Sequence, residues 1–219
     1  MAEKKFDLIV FDWDGTLMDS TALIVDSIRA ACMDMGVAVP SRAQAAHVIG
    51  LSLVGAMREV APGLDEAEVQ ELARRYRAHY LARDNETVLF EGTRELLELL
   101  CAEGYTLAIA TGKARAGLDR VLASSGLAPL FQATRCADES FSKPHPGMLL
   151  DLMDRLVVDP ERTLMVGDTT HDLLMARSAG VSAVAVTCGA HPEGVLRAES
   201  PAAVLPSVAS LGDWLACAT

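Results

Sequence analysis

A chain of 219 residues, 51% hydrophobic and 22% charged, can bury one large core or a core with a smaller insert, which excludes a disordered chain. A formal net charge of -11 argues against a nucleic-acid backbone as partner, though a few local cations and a metal could still hold a phosphorylated small molecule. The five cysteines are scattered and never form a CxxC pair, so they read as reduced thiols of a cytosolic protein, with neither a disulfide framework nor a zinc site.

The first apolar run, DLIVF, follows Lys4-Lys5 and stops at Asp12, too short for a secretory segment. No stretch approaches the length of a membrane span. A cytoplasmic protein without a membrane partner is expected. Asp7–Asp12 reads as a buried strand whose end carries two acids, Asp12 and Asp14, before a Gly15-Thr16 turn.

From Thr16 to about Thr87 the pattern is helical, with no convincing strand. Thr21–Met35 places Leu23, Ile24, Ile28 and Ala31 at helical spacing and ends near Gly36. Ser41 and Gln44 have the spacing of a capping box. Asp65–Arg83 sets Val69, Leu72, Tyr76 and Tyr80 on one helical face.

A β/α alternation then resumes. Thr93 is a plausible N-cap for a helix that stops near Gly104, and Thr106–Thr111 follows as a strand. Next come a helix over Ala114–Leu122, a strand over Phe131–Arg135 and a helix over Gly147–Leu156. Thr163–Asp168 is a strand, Thr169–Ala179 a helix ending at Gly180, and Val181–Thr187 a strand. The tail from Ala198 reads as surface loop and a last short helix. The predicted class is α/β: a Rossmann-like parallel sheet with helices on both faces, plus an inserted all-helical unit. The expected boundaries are residues 1–16 and 88–219 for the core and 17–87 for the insert.

In open parallel sheets ligands sit beyond the carboxyl ends of the strands. Asp12 with Asp14, Thr111 and Asp168 end strands here; Lys143 follows the third strand, and Asp172 lies four residues after Asp168. Any one of these alone is a helix cap or a solvated charge. Together at one sheet edge they suit phosphoryl transfer. Clustered acids repel unless a hard cation holds them, and oxygen-only ligation suits Mg²⁺. A carboxylate can attack phosphorus, while a hydroxyl, a lysine and backbone amides hold the phosphoryl oxygens. Thr111 and Gly112, at a strand-to-helix turn, suit the hydroxyl-plus-amide role.

FDWDGTLMDS, IATGK, FSKPHPG and VGDTTHDLLMARSAG, in this order, resemble the four motifs of the haloacid dehalogenase-like superfamily. The helical insert after the first motif resembles the cap of its phosphoglycolate-phosphatase-like branch. Members that hydrolyse carbon–halogen bonds lack an aspartate at the place of Asp14, so the resemblance favours a phosphatase acting on a small phosphoglycolate-like monoester. It implies that Asp12 is the nucleophile and Asp14 the general acid and base. It also implies that Thr111, Gly112 and Lys143 bind the phosphoryl group. Mg²⁺ would be held by Asp12, the Asp14 carbonyl and Asp168, with Asp172 contacting the ion through water or orienting its ligands.

Three other readings use similar residues. A signalling receiver domain also gathers acids, Thr and Lys, but its phosphorylated aspartate ends a central strand, and it has no helical insert. A phosphomutase of the β-phosphoglucomutase type would share the whole site, and a regulatory protein could keep the fold without catalysis. Within the motifs, Thr16 either hydrogen-bonds inside the turn or is a plain turn residue, and His171, at a position the family leaves variable, is left out of the catalytic set. The five histidines are taken as scattered, and Trp13 as packing under the cap hinge. Arg74-Arg75-Tyr76-Arg77 reads as a solvated helix face. Arg42 and Arg58 are candidates to reach a substrate carboxylate, and Gly50-Leu51-Ser52 is a candidate loop over the pocket. The apolar cap residues would either seal the site or form a homodimer.

Overall fold

Leu8–Phe11 is a strand buried on both sides, and its alternation divides the core. Ile9 and Phe11 join one apolar cluster and Leu8 and Val10 another, as a period of two requires for a sheet covered on both faces. The structure is a computed structural model and describes residues 4–217.

In chain order the elements are β1 (Leu8–Phe11), β2 (Met18–Asp19), α1 (Thr21–Met35), α2 (Arg42–His47), α3 (Leu53–Val60), α4 (Glu66–Leu81), β3 (Val88–Leu89), α5 (Thr93–Ala102) and β4 (Thr106–Thr111). There follow α6 (Arg115–Ser125), β5 (Ala133–Cys136), α7 (Gly147–Leu156), β6 (Thr163–Gly167), α8 (Thr170–Ser178), β7 (Ser182–Val186), α9 (Glu193–Ala198), β8 (Ala203–Leu205) and α10 (Leu211–Cys217).

The main sheet is parallel with strand order β5-β4-β1-β6-β7-β8. Helices α5, α6 and α10 cover one face through Leu97, Leu118 and Leu211; α7 and α8 cover the other through Leu149 and Met175. The chain moves outward from β1 in one direction through β4 and β5, then in the other through β6 and β7. The crevice of such a sheet therefore opens above β1 and its neighbours. Register matters here: Phe11 pairs with Ile109 of β4 and Val166 of β6, so the ends of these strands lie level.

Helices α1 to α4 form the insert over the sheet edge, with an apolar cluster of their own that includes Leu23, Ile28, Met57, Val69 and Leu72. Both Ser41 with Gln44 and Asp65 with Glu68 close capping boxes, which fixes where α2 and α4 begin.

Three expectations need correction. The interval read as free of strands contains β2, which pairs antiparallel with β3 and ties the entry of the insert to its exit. The tail read as loop contributes β8, an edge strand beside β7. The cap of α5 is Gly92, in the left-handed region, with Thr93 inside the helix.

Candidate active site

Asp12 follows β1 directly and is 1% exposed. Lys143 Nζ stands 2.8 Å from its Oδ1 as an ion pair, and neither Asp12 oxygen receives a directed hydrogen bond from the described residues. The same ammonium donates to Asp172 Oδ1 at 2.7 Å. Asp172 Oδ2 accepts from the Thr169 amide and hydroxyl at 3.1 and 2.7 Å, so the capping box of α8 holds the acid that holds Lys143. Asp168 is positioned separately: Oδ1 accepts from the Thr16 hydroxyl at 2.8 Å and Oδ2 from the Ala190 amide at 2.7 Å. Thr16, read as a turn residue, thus orients an acid across the sheet edge.

Gly15 lies against this group at φ +84°, and a β-carbon there would overlap the Asp168 carboxylate. The turn that follows the two acids therefore needs a residue with no side chain.

Asp12, Asp168 and Asp172 each bring one oxygen within 4.8 Å of the others. All three are buried, and Lys143 is the cation among them. With all three ionised, the carboxylates would exceed the one ammonium by two negative charges. Burial pushes the Asp12 carboxyl up to about 7; the Lys143 ammonium opposes this, and the charges on Asp172 and Asp14 add to it. Asp168 is raised well above the usual range by burial and then by Asp12 and Asp172, against the pull of its hydrogen bonds to Ala190 and Thr16. Burial tends to lower Lys143, but Asp12 and Asp172 outweigh it and keep the ammonium charged. Asp12 oxygens that accept no directed hydrogen bond, an oxygen-only donor set and more acids than one ammonium can balance fit a divalent hard cation.

Asp14 is outside that triad. Its Oδ1 accepts from the Ser20 hydroxyl at 2.7 Å and from Lys113 Nζ at 2.9 Å, and the residue lines the cavity beneath the insert. Lys113 also donates to the Tyr80 hydroxyl of α4 at 3.2 Å and lies 4.9 Å from that ring's centroid. Burial lowers Lys113, yet Asp14 and Tyr80 more than compensate and hold it protonated. In the sequence Lys113 is only the last residue of IATGK, with no role assigned to it. Its pairing with Asp14 across the sheet edge is a contact at the candidate site that the sequence did not reveal.

Thr111 is fully buried at the end of β4, where its hydroxyl accepts the Lys113 amide at 3.2 Å. Gly112 meets the insert: a β-carbon there would overlap the carbonyl oxygens of Gly50 and Leu51. Gly50 and Leu51 do lie over the pocket, and the Ser52 amide donates to the Ser142 hydroxyl at 2.8 Å. Gly112→Ala is expected to lift this loop and lower kcat/KM by roughly 10- to 100-fold, the range for overpacking a tight contact. Its melting temperature should fall by a few to about 10 °C, at about 1–3 kcal/mol of overpacking. Steady-state kinetics beside a thermal melt checks both.

Other expectations change. Three histidines converge: His171 Nε2 and His191 Nε2 both donate to the His47 carbonyl, at 2.8 and 3.0 Å. His191 Nδ1 accepts the Thr170 amide at 3.0 Å, which requires the neutral ring, and burial pushes His191 down to about 4. These histidines join insert to core. Arg42 pairs with Asp26 and Arg58 with Glu66 on the outer surface, so neither faces the cavity. In the Arg74–Arg77 run, Arg74 and Arg75 pair with Glu71, whereas Tyr76 and Arg77 line the cavity. Trp13 is fully buried in the main core cluster.

Comparison with known proteins gives concordant results. The family described as haloacid dehalogenase-like hydrolase matches residues 9–186. "Probable phosphatase IndB" of Dickeya dadantii is 38% identical over 203 residues, covering 90% of this chain and 88% of its own. "Phosphoglycolate phosphatase" of Agrobacterium fabrum is 33% identical, covering 83% and 81%. The crystal structure of a predicted phosphoglycolate phosphatase from Haemophilus somnus superposes with a TM-score of 0.87 at 26% identity, over 97% of this chain and 99% of that one.

Proposed function

Because this chain belongs to the haloacid dehalogenase-like hydrolases, we propose that it is a Mg²⁺-dependent phosphatase of a small monoester, working through an aspartyl-phosphate. The observation that carries this reading is Asp12: a buried carboxylate at a strand end, with no directed hydrogen bond, beside one lysine and two further acids. Relatives named as phosphatases, a phosphoglycolate phosphatase among them, support the reaction class.

In the proposed reaction an Asp12 oxygen attacks phosphorus, and the bond from phosphorus to the leaving oxygen breaks. Asp14 gives its proton to that oxygen as the alcohol departs. Water then attacks the aspartyl-phosphate, Asp14 takes its proton, and phosphate leaves with Asp12 restored. Thr111, the Gly112 amide and Lys143 would hold the phosphoryl oxygens, and Lys143 keeps the Asp12 carboxylate in place. Asp172 serves as a positioning residue for Lys143. Asp12, Asp168 and Asp172, with the Asp14 carbonyl, would hold Mg²⁺, which when bound supplies positive charge for the carboxylates and the phosphoryl group. Phosphate release from a panel of monoesters that includes phosphoglycolate, stopped by chelator, is the expected result. Conversion of a hexose phosphate to its isomer without phosphate release would replace this reading with a mutase.

The charge excess also sets a pH dependence. Asp12 is raised in the folded state from 3.8 to about 7, so between those values the unfolded chain releases a proton that the folded chain keeps. Stability of the metal-free protein is therefore greatest at low pH within this window and falls as pH rises through about 7. Asp168 shifts in the same direction. A melting temperature in chelator lower at pH 8 than at pH 5 by at least about 5 °C is expected, at about 2–4 °C per kcal/mol. Mg²⁺ should restore more at pH 8 than at pH 5. A metal-free melting temperature that rises over this range would refute the charge argument.

A further inference from the structure

A cavity of about 290 Å³ lies between the insert and the sheet edge, and Asp12 and Asp14 form part of its wall. The rest is mostly apolar: Ile24, Ile28, Ile49 and Met57, with Tyr76 and Tyr80 of α4. The two tyrosine rings stack at 5.8 Å with 27° between their planes, presenting an aromatic wall.

The charges around this space are nearly all spent. Lys113 is paired with Asp14, and Arg120 with Asp84 at 2.9 Å. Arg77, which touches the cavity, is exposed to solvent. The Tyr80 hydroxyl accepts from Lys113, which leaves its proton as a single remaining donor. A buried carboxylate or a ring of sugar hydroxyls on the leaving group would thus meet few free partners, and unpartnered polar groups are costly to bury.

Resting on the phosphatase reading, we propose that the substrate is a phosphomonoester of an apolar, arene-sized alcohol. Its phosphoryl group sits at Asp12 and Lys143, and its uncharged body fills the cavity against Tyr76 and Tyr80. This departs from the carboxylate-bearing phosphoglycolate. The insert selects by excluding water from an apolar group rather than by pairing a second charge.

The test compares benzyl phosphate, methyl phosphate, phosphoglycolate and glucose 6-phosphate in Mg²⁺. Benzyl and methyl alcohols are of similar acidity, so a difference between their esters reads the cavity and not the leaving group. Benzyl phosphate is expected to exceed the other three in kcat/KM by roughly 10- to 100-fold, the partitioning of one Phe-sized group. Preference for phosphoglycolate or glucose 6-phosphate overturns the proposal; if Arg77→Ala abolishes a phosphoglycolate preference, that guanidinium is the specificity determinant instead.

Calorimetric binding of benzylphosphonate and methylphosphonate separates this inference from the reaction it rests on. The benzyl compound is expected to bind roughly 10- to 100-fold tighter with a more negative heat-capacity change. Equal affinities overturn the proposal whatever the enzyme hydrolyses. Absence of hydrolysis of every ester, with the binding contrast intact, would instead refute the phosphatase reading alone.

Discussion

Asp12→Asn will lower kcat by roughly 10⁴-fold or more while leaving the metal-free protein at least as stable as the parent, the scale of loss seen when a nucleophile is removed. The amide matches the carboxylate in shape but has no charge with which to attack phosphorus. Stability is preserved because the site holds more negative charge than Lys143 balances. Removing one of the three buried acids leaves Lys143 with Asp172, its hydrogen-bonded partner. Phosphate release and thermal melts in chelator at pH 8 measure the two effects independently. Activity within tenfold of the parent would remove Asp12 as the nucleophile. A large drop in melting temperature would mean that the carboxylate stabilises the fold, against the electrostatics described above.

Lys143→Ala should do the reverse to stability and act alongside Asp12 on rate. Lys143 is 2% exposed and is the cation between Asp12 and Asp172. Its loss strands two buried carboxylates, a change that typically costs about 3–5 kcal/mol when one partner of a buried pair is removed. For a chain of this size that is on the order of 10 °C in melting temperature. The loss should be smaller at pH 5 than at pH 8, because the raised Asp12 carboxyl takes up a proton in place of the missing ammonium. A fall in kcat of about 10³-fold is expected, typical of removing a preorganised charge at a phosphoryl site. Arginine should not rescue it, since a planar guanidinium cannot occupy the compact position of the ammonium. In a double-mutant cycle with Asp172→Asn the two losses should be strongly non-additive. Additive losses would show that Asp172 does not act through Lys143.

Much of this was legible in the chain because strong patterns coincide. The run ending at Asp12, the TLAIAT strand and the TLMVG strand each combine apolar character with a polar residue at or just beyond the end, and they lie side by side in register. Helices α1 and α7 occupy the residues their periodicity and flanking Gly and Pro predict. What was not legible was short or nonlocal. Strands β2 and β3 have two residues each, too few for any period to register, and β8 has three. Thr93 looked like a cap, but the positive φ of Gly92 takes that position. The facing of Arg42 and Arg58 depended on the rotation of helices only six and eight residues long. The histidine group joins His47, His171 and His191 from separate parts of the chain, so no search for closely spaced pairs could find it. Lys113 became informative only when the fold brought Asp14 beside it.

The β2–β3 ladder, in which Met18 faces Leu89 and Asp19 faces Val88, lets the chain leave the core and re-enter it at one doorway. To the sheet, everything between those strands behaves as a single closed loop. The entropy of closing such a loop grows only logarithmically, by about 0.6 kcal/mol for each doubling of length. A cassette of another length could therefore be joined at this doorway at little entropic cost, provided it restores the contacts that Ser20, His47 and Tyr80 make to the core. The residues at the ends of β1, β4 and β6 would then keep their places while the enclosure above them is exchanged, which makes this ladder a joint at which the insert could be replaced.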